Sequence, residues 1–175
     1  MQLKDLKFLL QKLKVIPNYI DTDSFKPLDL EKERGRIIFV GRLEREKNLF
    51  SLIEAIRDLS VKLVIFGSGS LKEELEEFAK EKGANVEFKG NIANEKLPEE
   101  LNKSEIFVLP SFYEGCPKVL LEAISIKKAI LEALNDKELQ RKISQNARKT
   151  ILNEFSFEKI LGRELRIYED LCEKI

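Results

Sequence analysis

The chain has 175 residues, with 31 Lys+Arg against 31 Asp+Glu, 43% hydrophobic and 35% charged residues, two cysteines and no histidine. That length suits one domain with a sizeable core, and zero net charge excludes a bulk electrostatic attraction to nucleic acid or an anionic membrane. Without histidine there is no His general base and no His-ligated metal in the chain; Cys116 and Cys172 are too few for a disulfide framework and lack zinc-binding spacing, and no apolar run reaches the ~18 residues of a membrane span, so a soluble, cytoplasmic protein is expected.

Residues 1–13 read as a helix whose apolar run is too short and too punctuated for a signal peptide. Val15-Ile16-Pro17-Asn18 then enters a loop that runs to about Gly35. Arg36 to Val40 is β-branched and aromatic and stops at Gly41, which predicts a strand. Lys47 to Leu59 carries Leu49, Leu52, Ile53 and Ile56 at helical spacing. A second strand, Val61 to Phe66, ends at Gly67, and a second helix, Ser70 to Lys82, carries Leu71, Leu75 and Phe78 on one side. Asn85 to Lys89 is a third strand ending at Gly90, followed by a shorter helix near Asn94 to Asn102. Glu105 to Leu109 is the fourth strand and ends at Pro110. The rest is helical: Val119 to Ile124, Ile126 to Leu134, Asp136 to Asn153 and Phe157 to Glu173, with Asn135-Asp136 as a turn and Ser156, flanked by Phe155 and Phe157, as an N-cap.

Strands alternating with helices predict an α/β fold, a Rossmann-like parallel sheet flanked by helices with extra helices at the C-terminal end. Ligands of such sheets bind beyond the carboxyl ends of the strands. The segments to inspect are therefore Gly41-Arg42, Gly67-Ser68-Gly69, Gly90-Asn91 and Pro110 to Pro117. Arg42 with Lys47 can direct two cations at one anion, or both can be solvated charges in a chain rich in them. Gly67-Ser68-Gly69-Ser70 gives a tight turn and close backbone approach, but it lacks the third glycine of a dinucleotide fingerprint and the Gly-Lys-Ser/Thr of a P-loop. Pro117 suits a first helical turn, and Gly115 permits a tight loop before it, so the amides of Lys118 and Val119 would face outward. Glu114 and Glu122 can grip a polyhydroxylated ligand, or they are two unrelated surface glutamates. Cys116 has no histidine to activate it as a nucleophile. Asp21-Thr22-Asp23 has a spacing that can hold a divalent cation, and its place in a loop favours local hydrogen bonding instead.

The order of these motifs resembles the C-terminal half of a group 1, glycogen-synthase-like retaining glycosyltransferase of GT-B architecture. The residues carrying the resemblance are Val15 to Asn18, Phe25-Lys26-Pro27, Val40 to Leu43 with Lys47-Asn48, Gly67 and Gly69, Gly90, Pro110-Ser111, Glu114-Gly115 with Pro117, and Glu122-Ala123. Asn146-Ala147-Arg148, Phe155-Ser156-Phe157 and Tyr168 resemble the family's closing helices.

The resemblance implies that residues 15–175 bind a nucleotide-diphosphate sugar, and that residues 1–14 are an N-terminal helix or the remnant of an interdomain connection. It implies Arg42, Lys47 and Glu114 as catalytic residues, with the two cations neutralising the departing diphosphate. Glu122 would hold ribose. Glu114 and the backbone of Gly115, Cys116 and Pro117 would meet the sugar, the amides of Lys118 and Val119 a phosphate, and Gly41, Gly67, Gly69, Gly90, Asn91 and Ile92 would border the nucleotide. Fixed cations and dipoles carry such chemistry, so neither metal nor cofactor is expected. The family's acceptor-binding N-terminal domain is absent, to be supplied in cis or by a separate chain; any peripheral membrane contact would be made through it. The family's turn, further strand and glycine-rich loop after Ser125 are also absent, which places a missing segment between residues 125 and 126. A non-catalytic nucleotide-binding partner subunit or regulatory α/β module is the alternative.

Overall fold

The computed structural model describes residues 14, 16–111 and 119–172. They fall into two compact units, Lys26–Lys142 and, separately, Met1–Phe25 with Ile143–Ile175.

The first unit holds a four-stranded parallel sheet. Its strands are β1 (Arg36–Val40), β2 (Lys62–Phe66), β3 (Val86–Gly90) and β4 (Ile106–Phe107), in the spatial order β3-β2-β1-β4. Between them run α1 (Leu49–Ile56), α2 (Lys72–Glu81) and α3 (Leu97–Lys103), and α4 (Val119–Asn135) follows β4. Arg36↔Lys62 through Val40↔Phe66 set the central register. The order reverses beside β1, which makes this a doubly wound α/β sheet, as expected.

Period-2 alternation splits the strands into two apolar faces. Ile37, Phe39, Leu63 and Ile65 bury completely in a core with Leu49, Leu52, Ile53 and Ile56 of α1, Leu75 of α2 and Ile130 of α4. Ile38, Val64 and Phe66 fill the other face with Val40, Ile92 and Leu101. Burial on both faces explains why, after the first residue of each, β1 and β2 read as the unbroken apolar runs IIFV and LVIF. Phe39→Ala should cost about 3–5 kcal/mol, seen as a lower denaturant midpoint at unchanged slope.

Most element ends differ from expectation by up to three residues, and three departures matter most. The predicted helix from Lys47 to Leu59 begins at Leu49, because Arg45–Lys47 form a 3₁₀ turn and Asn48 takes a left-handed conformation with φ 53°. The strand expected from Glu105 to Leu109 narrows to Ile106–Phe107, although Val108 still donates to the Ile38 carbonyl; among the described residues β4 has β1 on one side and no partner on the other. The two helices expected on either side of Ser125 are one, for no glycine or proline interrupts Val119–Asn135.

Charge clamps hold the start of the sheet. Arg36 is 5% exposed and pairs with Glu33 at 2.7 Å and with Glu100. Glu105 accepts the Gly35 N–H at 2.7 Å and the Lys137 ammonium at 2.9 Å. The Lys137 contact, then the Gly35 amide, hold its carboxyl below the ordinary glutamate range. A depressed folded-state value contributes stability that is present above the unfolded pKa and is lost as pH falls through the folded one. Glu105→Gln should therefore cost about 1 kcal/mol near neutrality, and the gap to wild type should close as unfolding is repeated at pH values below the usual carboxylate range.

In the other unit, α5 (Lys137–Thr150), which begins in the first unit, leads through a π-helical turn (Ile151–Phe155) into α6 (Phe157–Cys172). Ser156 is buried just before α6, and its carbonyl accepts the Ile160 N–H, the position the sequence predicts for the cap. Ile20 bridges to Ser156 in parallel, and Tyr19 meets Phe157 edge-on at 5.3 Å. Asp21 turns the chain: its carboxylate accepts the Asp23 and Ser24 N–H groups and the Ser24 hydroxyl. Arg148 fixes that turn by donating to the carbonyls of Phe25 and Thr22. Residues 1–13, expected to be helical, lie outside the described residues.

Candidate functional site

Beyond the carboxyl ends of β1, β2 and β3, backbone bonds continue the sheet into its loops. Gly41 N–H donates to the Phe66 carbonyl at 3.0 Å and Gly67 N–H to the Gly90 carbonyl at 2.8 Å. Leu43 N–H then reaches the Ser68 carbonyl at 2.9 Å, and Leu71 N–H returns to the Leu43 carbonyl at 3.1 Å. The loops after β1 and β2 are thus sewn together as a seam.

Glycine makes the seam possible. A Cβ on Gly67, whose φ is +138°, would stand 1.9 Å from the Gly41 carbonyl oxygen, and one on Gly69 would stand 2.4 Å from that of Leu43. The close approach read from Gly67-Ser68-Gly69 is therefore made to the chain's own β1 loop. Gly90 differs: at φ +70° with open space around it, its backbone conformation is the requirement.

The seam floors a cleft of about 310 Å³ lined by Val40–Arg42, Phe66–Ser68 and Asn91–Ile92. Five residues singled out from the sequence, Gly41, Arg42, Gly67, Asn91 and Ile92, meet there, whereas Gly69, Gly90 and Lys47 are not in its lining. Arg42 is 75% exposed and pairs with Glu46 at 3.1 Å, a contact worth little in water. Lys47 closes the 3₁₀ turn and is half-buried; no ion pair to it forms among the described residues.

A second cleft of about 370 Å³ lies between the sheet and α3. Its charges are largely spent on each other: Arg36 on Glu33 and Glu100, Lys62 on Glu87 at 2.8 Å, and Lys89 on Glu87. It offers a ligand less than the cleft at the strand ends does.

Glu114, Gly115, Cys116, Pro117 and Lys118 lie outside the described residues. Val119 opens α4, and Glu122 is in its first turn. Among the described residues no group of three or more Cys, Asp or Glu is placed to hold a metal ion, and no helix is long and apolar enough to cross a membrane.

Sequence reasoning missed Glu44, whose carboxylate accepts the Ser70 N–H at 3.0 Å and the Ser70 hydroxyl at 2.8 Å. Those two donors, backbone first, lower its pKa.

A family model described as Glycosyl transferases group 1 matches residues 21–131, well over half of the chain. The chain belongs to the group 1 glycosyltransferases. Among relatives, it is 35% identical over 119 residues to the GalNAc-alpha-(1->4)-GalNAc-alpha-(1->3)-diNAcBac-PP-undecaprenol alpha-1,4-N-acetyl-D-galactosaminyltransferase of Campylobacter jejuni, a match covering 65% of this chain and 32% of that protein. The C-terminal domain of the group 1 glycosyltransferase LpcC from Francisella tularensis superposes with a TM-score of 0.65 at 20% identity, over 79% of this chain and 99% of that one. TarM from S. aureus, crystallised with Fondaparinux, alpha-GlcNAc-glycerol and UDP, gives 0.72 at 20% identity, over 96% of this chain and 43% of TarM. This group 1 glycosyltransferase chain thus has the fold of a GT-B C-terminal domain. It spans from 26% to 48% of the length of the curated relatives it matches.

Proposed function

We propose that the chain is the donor-binding half of a retaining glycosyltransferase and takes a nucleotide-diphosphate sugar in the cleft at the ends of β1, β2 and β3. The observation that carries this reading is the convergence of Gly41, Arg42, Gly67, Asn91 and Ile92 on one cleft, with the half-buried Lys47 six residues after Gly41 in the same loop. The base lies near Gly67 and the Gly90–Ile92 loop. Arg42 and Lys47 take up the charge that develops on the diphosphate as the bond to the anomeric carbon breaks, which is electrostatic stabilisation by groups already in place.

Glu122 binds ribose hydroxyls, Glu114 with Gly115, Cys116 and Pro117 meets the sugar, and the amides of Lys118 and Val119 meet phosphate. The acceptor is held by an N-terminal domain, in cis or on a separate chain, so this half alone binds donor and transfers poorly for want of a positioned acceptor. The family's strand and glycine-rich loop after Ser125 are missing from the donor side. No metal or cofactor takes part, and the protein works in the cytoplasm.

Thermal unfolding with uridine, guanosine and adenosine diphosphates tests the reading. A ligand at 100 times its Kd adds about 2.7 kcal/mol, so a rise of several degrees in Tm with one of them is expected. No rise with any of the three at millimolar concentration overturns it.

A further inference from the structure

We propose that Glu44 is a positioning residue for the nucleotide cleft, a side-chain clasp that fixes the β1 loop against the start of α2; its effect on ligand rests on the donor reading above. Glu44 stands between Arg42 and Lys47, the two cations assigned to the diphosphate. Its two carboxylate oxygens are engaged by one residue across 26 positions of sequence, Oε1 by the Ser70 N–H and Oε2 by the Ser70 hydroxyl. The rest of the seam is backbone to backbone, through Leu43, Ser68 and Leu71. Those bonds fix the backbone on either side of Arg42, through Gly41 and Leu43, and the Glu44 carboxylate extends the hold to the stretch that leads on to Lys47. Among the described residues the Arg42 side chain forms one ion pair, with the exposed Glu46.

The clasp also settles what the Gly67–Ser70 turn does. In a glycine-rich turn leading into a helix, the last amides are where a ligand phosphate would sit. Here the Ser70 amide already holds an internal carboxylate. The Ser70 amide is thereby withheld from a ligand anion, which favours the Arg42 side of the cleft.

Positioning and plain electrostatics predict opposite results. Glu44 is an anion close to the proposed diphosphate, so if it acted through charge alone its removal would tighten binding. If it holds the loop, removal weakens binding although a repulsive charge is gone.

The test uses the full chain and the variants Glu44→Ala, Glu44→Gln and Ser70→Ala. The probes are uridine and guanosine diphosphate, titrated calorimetrically, and amide hydrogen exchange is followed without ligand. Glu44→Ala should weaken binding ~10-fold, while Glu44→Gln, which keeps an oxygen for the Ser70 amide, should stay within ~3-fold of wild type. Ser70→Ala should fall between them, and the Glu44→Ala/Ser70→Ala pair should be no weaker than Glu44→Ala alone, since both remove one contact. Exchange at Leu43 and Leu71 should speed up ~10-fold in Glu44→Ala, with Leu63 and Ile65 of β2 unchanged. Unchanged or tighter binding by a folded Glu44→Ala overturns the proposal, as does unchanged exchange at Leu43 and Leu71. If wild type binds neither of these nor adenosine diphosphate, the donor reading falls, and the exchange data alone then decide whether Glu44 clasps the loops.

Discussion

Gly67→Ala should be among the most damaging single substitutions in the protein, lowering stability by at least about 3 kcal/mol and Tm by roughly 6–12 °C for a chain of this size. Two effects combine. The new Cβ would stand 1.9 Å from the Gly41 carbonyl oxygen, and a backbone atom cannot rotate away as a flexible side chain can. The φ of +138° is also one that residues with a Cβ rarely adopt. Relief requires the β1 and β2 loops to part, which breaks the Leu43–Ser68 and Leu71–Leu43 bonds.

Gly83 supplies the control. It too has positive φ, +64°, but a Cβ there would meet nothing within 4 Å, so Gly83→Ala should cost only the dihedral penalty of about 1–2 kcal/mol. Chemical denaturation of both variants separates strain from collision. Equal losses would show that the seam yields easily, and the cleft would then lack the rigid floor described above. Because the seam is that floor, Gly67→Ala should also lose nucleoside diphosphate binding at temperatures where it remains folded.

The sheet was readable because β1 and β2 are buried on both faces beyond their first residues, so Ile37 to Val40 and Leu63 to Phe66 had to be apolar without interruption, and glycine had to follow where the loops cross. Arg36 to Val40 matches β1 residue for residue. β4 was overestimated because apolar character reports burial, whereas pairing needs a neighbour, and this edge strand has one. At the cleft, Arg42, Gly67 and Asn91 could be picked out because each follows a strand, and strand ends converge on one edge of a parallel sheet. Glu44 could not: its partner lies far along the chain, and a glutamate between arginine residues reads as solvated surface.

Arg36 was illegible for a related reason. A charge at a strand start implies exposure, and only the fold brings Glu100 beside it to permit burial. Asp21 shows the reverse case, in which the short-range reading sufficed because all its partners lie within three residues.

The second large effect concerns binding rather than stability. Arg42→Ala and Lys47→Ala should each weaken a nucleoside diphosphate by about 1.5–3 kcal/mol, or ~10- to 150-fold, the range for hydrogen bonds to a charged group. Neither should much alter Tm. The Arg42–Glu46 pair is largely exposed and contributes at most about 1 kcal/mol, and Lys47 has no ion pair among the described residues to lose. The informative comparison is with the free nucleoside, which meets the base and ribose contacts but carries no phosphate. If the two cations act on the diphosphate, its affinity collapses while the nucleoside's stays within ~2-fold. An equal loss for both ligands would mean that the substitutions deform the cleft and that Arg42 and Lys47 have no phosphate to neutralise. Salt gives a second axis: the wild-type diphosphate affinity should fall with ionic strength, and that dependence should flatten in each variant, since screening weakens only interactions that are present. A double variant whose loss approaches the sum of the single ones would place the cations on separate phosphate oxygens, whereas a loss no larger than either alone would make them one cooperative contact.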